Sequence, residues 1–280
     1  MAAISASLVK TLRDETGLPM MECKTALVEA EGDPERAKDI LQKKYKGKMA
    51  SRASHETGEG RVAIFIADDK KSGAIIELRC ETASVAKTDR FVALTATIAQ
   101  SVAAGDQARP SPESVLAYAS TATDGRTLVD EITEVFGLLR ENLKLKSCRR
   151  ISGEHLCGYV HHDGKSAVLI ALDAKPDLEQ VGVDLCHHVV FANPMAISRD
   201  DIPDAAIDKV RKMAQEVAQE EGKPAQIIEK IVAGKVSAFC AQNALMEQEH
   251  VKVSKTKVGA VLKQAGVNAV TDVCIVKIGA

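Results

Sequence analysis

The feature that most constrains this chain is a change in the period of its apolar residues. Over residues 1–48 they recur at helical spacing, whereas from Arg61 onward they gather in short Val-, Ile- and Phe-rich runs. A chain that changes period in this way needs two kinds of packing, helix on helix and helix on sheet. In the first stretch Ile4, Leu8 and Leu12 share a helix face, and Gly17 can close that helix in the left-handed conformation. Pro19 opens a second helix with Cys23, Ala26, Leu27 and Ala30 on its apolar side. Asp33 and Pro34 start a third as N-cap and first helical residue, and Ala37, Ile40 and Leu41 give it a buried face.

Residues 46–60 are small, polar and contain glycine, as a linker does. Beyond them, 61–67 and 74–80 flank the turn DDKKSG and predict a β-hairpin. A loop at 81–88 leads to a helix from Asp89, with Phe91, Leu94, Ile98 and Val102 along one side. Helices near 113–120 and 128–142 follow. The order then recurs: a hairpin at 159–162 and 166–172, and a helix from about Asp177 to Phe191. KSGAIIEL (71–78) and KSAVLIAL (165–172) match closely enough to suggest an internal duplication. Residues 204–221 place Ile207, Val210, Ala214 and Val217 in a coiled-coil pattern, and Gly222-Lys223-Pro224 breaks the helix before a second apolar run. A helix near 257–264 and a strand at 269–278 end the chain.

The expected architecture is α+β. A three-helix N-terminal domain (1–48) and a linker (49–60) precede a core of two related α/β subdomains with antiparallel sheets. These are 61–143 and 144–280, the second carrying an antiparallel helical hairpin at about 204–243. Aromatic residues are 3% of the 280 and Trp is absent, so Ala, Val, Ile and Leu must fill these cores.

Composition argues against several functional classes. The net charge of -2 provides no field to recruit nucleic acid or an anionic membrane. The seven cysteines are odd in number and form no CxxC pair, which favours a reducing compartment. No apolar stretch is long enough to cross a bilayer and the start lacks a secretory pattern, so a cytoplasmic location is expected. Gly164-Lys165-Ser166 imitates a phosphate loop, but Tyr159 stands where the first glycine belongs and the triplet opens a strand. Cys186-His187-His188, with His155, Cys157, His161 and His162, lacks a zinc-ligand spacing. No Cys or Ser sits in a nucleophile elbow. The expectation is a non-enzymatic protein without cofactor or metal.

The N-terminal segment is more specific. Leu12-Arg13, Thr16-Gly17, Met20-Met21, Cys23-Lys24, Ala26-Leu27, Glu29-Ala30 and Gly32-Asp33 occur at the spacing of bacterial elongation factor Ts, which this chain resembles. The similarity continues through Cys80-Glu81-Thr82, Val85-Ala86-Lys87, Tyr159, His161, Gly222-Lys223-Pro224, Glu229-Lys230, Val232, Gly234 and Lys235. The resemblance implies a ubiquitin-associated-type helical domain and a protruding coiled coil. It also implies elongation factor Tu as partner, and guanine-nucleotide exchange on that GTPase by disrupting magnesium and phosphate contacts. Self-association stays open.

By resemblance, the partner-binding residues are Arg13, Met20 and Met21 in the helical domain, Thr82, Ala83, Ser84 and Val85 in the loop, and His161, with His162 as its alternative. The loop departs from the family, which carries Thr-Asp-Phe-Val where this chain has Thr82-Ala83-Ser84-Val85. The missing Asp and Phe favour an alternative in which the chain is a module that docks on a GTPase, or on another protein, without exchange activity. Phe91, in the similar run Thr88-Asp89-Arg90-Phe91-Val92, is a candidate substitute for the lost ring.

Overall fold

The computed structural model describes residues 4–174 and 178–279. Helices α1 (Ala6–Thr16), α2 (Met20–Glu29) and α3 (Pro34–Arg52) begin and end at the punctuation in the sequence. Gly17 closes α1 at φ 68°, its N–H on Arg13 O at 2.7 Å. Asp33 caps α3 by accepting from Glu35 N (2.9 Å) and Arg36 N (3.2 Å), satisfying two donors that the first turn leaves free. Val9, Leu12, Cys23, Ala26, Leu27, Ala37, Leu41 and Tyr45 bury the shared interior.

α3 runs four residues into the expected linker, and β1 (Glu59–Ile66) starts inside its other end. The cause is tertiary: Met49 packs on the core and Arg52 is held by Glu81, so polar sequence stays helical. The connection shrinks to residues 53–58. One hydrophobic cluster then runs without a break from α1–α3 into the first sheet.

β1 pairs antiparallel with β2 (Ser72–Cys80), and the loop beyond contains the single turn α4 (Ala83–Ala86) before α5 (Asp89–Ala104). α6 (Pro112–Val115) covers only the start of the expected 113–120 helix. α7 (Leu128–Leu139) stops short of Asn142 because Arg140 turns left-handed at φ 61°. β3 (Lys144–Ser152), which the boundary at 143/144 assigns to the second half, pairs with β2 and completes the first sheet. Only Leu145 and Ile151 are buried in it. Its Lys and Arg side chains hid the strand.

The second half repeats this order. β4 (His155–Val160) and β5 (Ser166–Ala174) form a hairpin. α8 (Glu179–Ala192) follows; its expected start at Asp177 lies outside the described residues. Then come α9 (Asp204–Glu220), α10 (Ala225–Asn243), α11 (Val258–Gln264) and β6 (Val267–Lys277), which pairs antiparallel with β5. α9 and α10 pack on each other across a turn at Gly222 (φ 70°). Ala218 (2% exposed) and not Val217 (54%) enters the packed side there. The helical period of 3.6 carries the stripe on by one residue.

Each central strand is buried on both sides. Ala74, Ile76 and Leu78 of β2 join the cluster with α5, while Ile75 faces the opposite way. In β5, Val168, Ile170 and Leu172 meet α8 and α11, and Ala167, Leu169 and Ala171 meet Ile75, Val62 and Ile151. The two sheets therefore lie face to face, with helices outside.

Candidate partner-binding site

Met20 and Met21 open α2 at 51% and 69% exposure, and neither enters the core. Such long, polarizable side chains suit an adaptable contact. Arg13 is exposed in the last turn of α1. The next residue of α2, Glu22, is by contrast firmly held. Tyr45 Oη donates to its Oε2 at 2.7 Å and Arg140 Nη2 to its Oε1 at 3.0 Å, while Lys44 Nζ stands 3.3 Å away. Burial alone would raise the Glu22 carboxyl, but the hydrogen bonds from Tyr45, Arg140 and Lys44 outweigh it and hold it at about 2. The Arg140 guanidinium also donates to Tyr45 Oη at 2.6 Å and lies over the Tyr45 ring.

The loop after β2 is tied down as firmly. The Glu141 carboxylate accepts from Glu81 N (3.1 Å), Thr82 N (3.0 Å) and Thr82 Oγ1 (2.7 Å). Thr82 Oγ1 in turn accepts from Val85 N at 3.4 Å, capping the short α4. The Glu81 carboxylate takes a two-pronged bond from Arg52 (2.6 and 2.9 Å) and another from Asn142 N (2.6 Å). The Arg52 bond, helped by the Asn142 N–H, holds the Glu81 carboxyl at about 2. On this frame Ala83 and Ser84 are exposed, and Val85 is half-buried against the core. Phe91 is 0% exposed inside α5 and sheet 1, so it does not substitute for the missing ring.

His161 is half-buried just past β4, its Nδ1 3.2 Å from Tyr159 Oη; His162 is exposed. The turn that follows reaches the first sheet: Val62 N donates to Gly164 O (2.8 Å) and Lys165 Nζ pairs with Glu59 (2.7 Å). Glu59 is the register partner of Cys80, which leads into the loop. The histidine turn and the loop thus leave the paired sheets at the same end. Sequence reasoning missed Arg52, Arg140, Glu141 and Asn142, which hold this frame. No local spacing could reveal them, because they meet partners 29 to 118 positions away.

Chemistry elsewhere is quiet. Among the described residues no group of three or more His, Cys, Asp or Glu is placed to hold a metal, and the seven cysteines are free thiols. Cys186 and His188 are buried, and His187 packs edge-on against Tyr159 at 4.5 Å. Burial and a neighbouring carboxylate push the Cys80 thiol up to about 12, away from nucleophilic use. No helix among the described residues is long and apolar enough to cross a membrane.

Exposed Met side chains, an exposed Arg and a loop clamped from behind, all carried on one continuous core, suit contact with another macromolecule. The family model described as elongation factor TS matches residues 81–280. The chain is 39% identical over 94% of its length to the elongation factor Ts of Bordetella petrii, covering 88% of that protein. It is 38% identical to that of Burkholderia thailandensis over 94% of this chain and 87% of the relative. For Hahella chejuensis the identity is 36%, over 98% and 91%. The chain belongs to the elongation factor Ts family.

Proposed function

We propose that this chain is a guanine-nucleotide exchange factor for elongation factor Tu, working in the cytoplasm without covalent chemistry. The carrying observation is family membership over nearly the full length, joined to a loop at 82–87 that is clamped from behind and exposed in front. Arg13, Met20 and Met21 would dock the nucleotide-binding domain. Thr82, Ala83, Ser84 and Val85 would press on its magnesium and phosphate region, and His161 would support them from the second half. Linkage supplies the mechanism: a factor that binds the empty GTPase more tightly than the loaded one weakens nucleotide affinity by the same ratio. Such a mechanism requires no general acid or base.

On this reading residues 1–48 form a ubiquitin-associated-like domain, the two sheet-containing halves are related by duplication, and α9–α10 projects as a coiled coil. Only Ala218 of α9 and Cys240 of α10 are buried, as befits a projection. One observation favours a second reading, docking without exchange: Ala83 and Ser84 offer neither the carboxylate nor the ring that the family carries. Release of a fluorescent GDP analogue from elongation factor Tu separates the two. Acceleration by this chain is expected. Tight binding with an unchanged release rate would leave only the docking reading.

A further inference from the structure

Three consecutive residues between α7 and β3 reach both the helix that carries the Met pair and the loop after β2. Arg140 donates to Glu22 (3.0 Å), one residue after the Met pair, and to Tyr45 Oη (2.6 Å). Glu141 receives both backbone N–H groups of 81–82 and the Thr82 hydroxyl. Asn142 donates its backbone N–H to Glu81 Oε1 (2.6 Å) and its amide to Ala53 O (3.2 Å) and His55 O (2.8 Å). Asn142 is buried, and Arg140 keeps a left-handed φ of 61°, where glycine would cost less. That backbone is retained in a residue whose guanidinium reaches Glu22. Charged hydrogen bonds in such a chain are the strong, geometrically demanding kind.

We propose that Glu141 is a positioning residue for nucleotide exchange. With Arg140 and Asn142 it braces the loop at 82–87 against the helix carrying Met20 and Met21, so both reach the GTPase in one fixed relation. The role rests on the exchange reading above. Exchange requires the loop to press on the nucleotide region while the Met pair is already docked. A loop free to shift still docks through α2 but presses in the wrong place. Of the three residues Glu141 is the informative one, because all its bonds go to the loop itself.

The experiment compares the wild-type chain with Glu141→Ala and Glu141→Gln. Stimulated release of the fluorescent GDP analogue is measured over a range of factor concentrations, with amide hydrogen exchange of residues 82–87 followed in parallel. Glu141→Ala is expected to lower the maximal rate on the order of tenfold or more, since small misplacements at a reacting site are that costly. The half-saturating concentration should change less than about threefold, because docking through α2 persists. Loop amides should exchange faster. Glu141→Gln, whose carbonyl still accepts the backbone N–H groups, should recover most of the rate. A folded Glu141→Ala protein with wild-type maximal rate would overturn the brace, as would a loss confined to half-saturation. If that variant does not fold, Glu141→Asp, which withdraws the acceptors by one methylene, is held to the same outcomes. A wild-type chain that never accelerated release would instead refute the exchange reading.

Discussion

Restoring the family's two side chains is the most direct test of how this loop works. The double substitution Ala83→Asp and Ser84→Phe writes the usual sequence back onto a frame that is already built. Both positions are exposed and Thr82 keeps its bonds to Glu141, so the folded chain should tolerate the change within about 0.5 kcal/mol. The introduced carboxylate would stand at the first position of α4, where it is compatible with the free N–H groups. A phenyl ring fully buried in an interface removes roughly 150–250 Å² from water, a ceiling of about 4–6 kcal/mol at 25 cal/mol per Å². Ordering the ring and the partner takes back a large share, and contact residues of this kind contribute about 2 kcal/mol when they matter. If that contact forms mainly as nucleotide leaves, the maximal release rate should rise about thirtyfold. The assay is release of a GDP analogue from elongation factor Tu of the same organism and from that of Bordetella petrii. An unchanged rate with both partners, in a protein of unchanged urea midpoint, would refute the idea that the empty positions limit exchange.

Met20→Ala and Met21→Ala should leave stability within about 0.5 kcal/mol of the parent, because both side chains already face solvent, yet weaken docking in a titration with the GTPase. Stability should fall in two stages with acid. His188 is buried with Nδ1 accepting from Val251 N (3.3 Å) and Nε2 2.9 Å from Gln248 Oε1, and burial lowers its pKa; His250, stacked on it at 5.6 Å, is lowered likewise. The unfolded chain therefore binds protons first, and the urea midpoint should begin to drop as pH falls below about 6.5. Glu22 and Glu81, held at about 2, contribute stability above their ordinary value of 4.5, and that part is lost between 4.5 and about 2. His188→Gln should shrink the upper stage to the share of His250 and leave the lower stage in place; an unchanged slope would count against this assignment. In the α9–α10 pair, Ala218→Asp should open the turn at 221–224 to limited proteolysis, whereas Val217→Asp should not.

What could be seen in the sequence follows from how local the cause is. Gly17, Asp33-Pro34 and Gly222 act on their own backbone, and their turns lie where the residues indicate. β2 and β5 carry continuous apolar runs because both faces are covered, so they stand out from any background. β3 does not, since it borrows its place from β2 and shows mostly Lys, Arg and Ser. The end of α3 is similar: Arg52 is helical because Glu81, in another element, holds it. At the candidate site, Arg13, Met20, Met21, Ala83 and Ser84 were singled out through resemblance, and all five are exposed. The frame behind them was not legible, because the hydrogen bonds that Glu141 accepts and Arg140 donates span 59 and 118 positions.

The two halves share an order: hairpin, helices, then a last strand returning to pair with the middle one. Their central strands have the same burial along their first eight residues, half-buried ends around six buried positions. Where the halves agree most closely, along β2 and β5, the residues serve the face-to-face sheets and the helices outside them. Where they differ, the differences lie on the surface. The first half has the clamped loop after β2 and the α1–α3 cluster continuous with its core; the second has the α9–α10 pair and the histidine turn. A face-to-face sheet pair resists relative motion because each sheet fills the other's grooves with Ile, Leu and Ala side chains. On the exchange reading, that rigidity lets contacts from both halves act on one GTPase at a fixed separation.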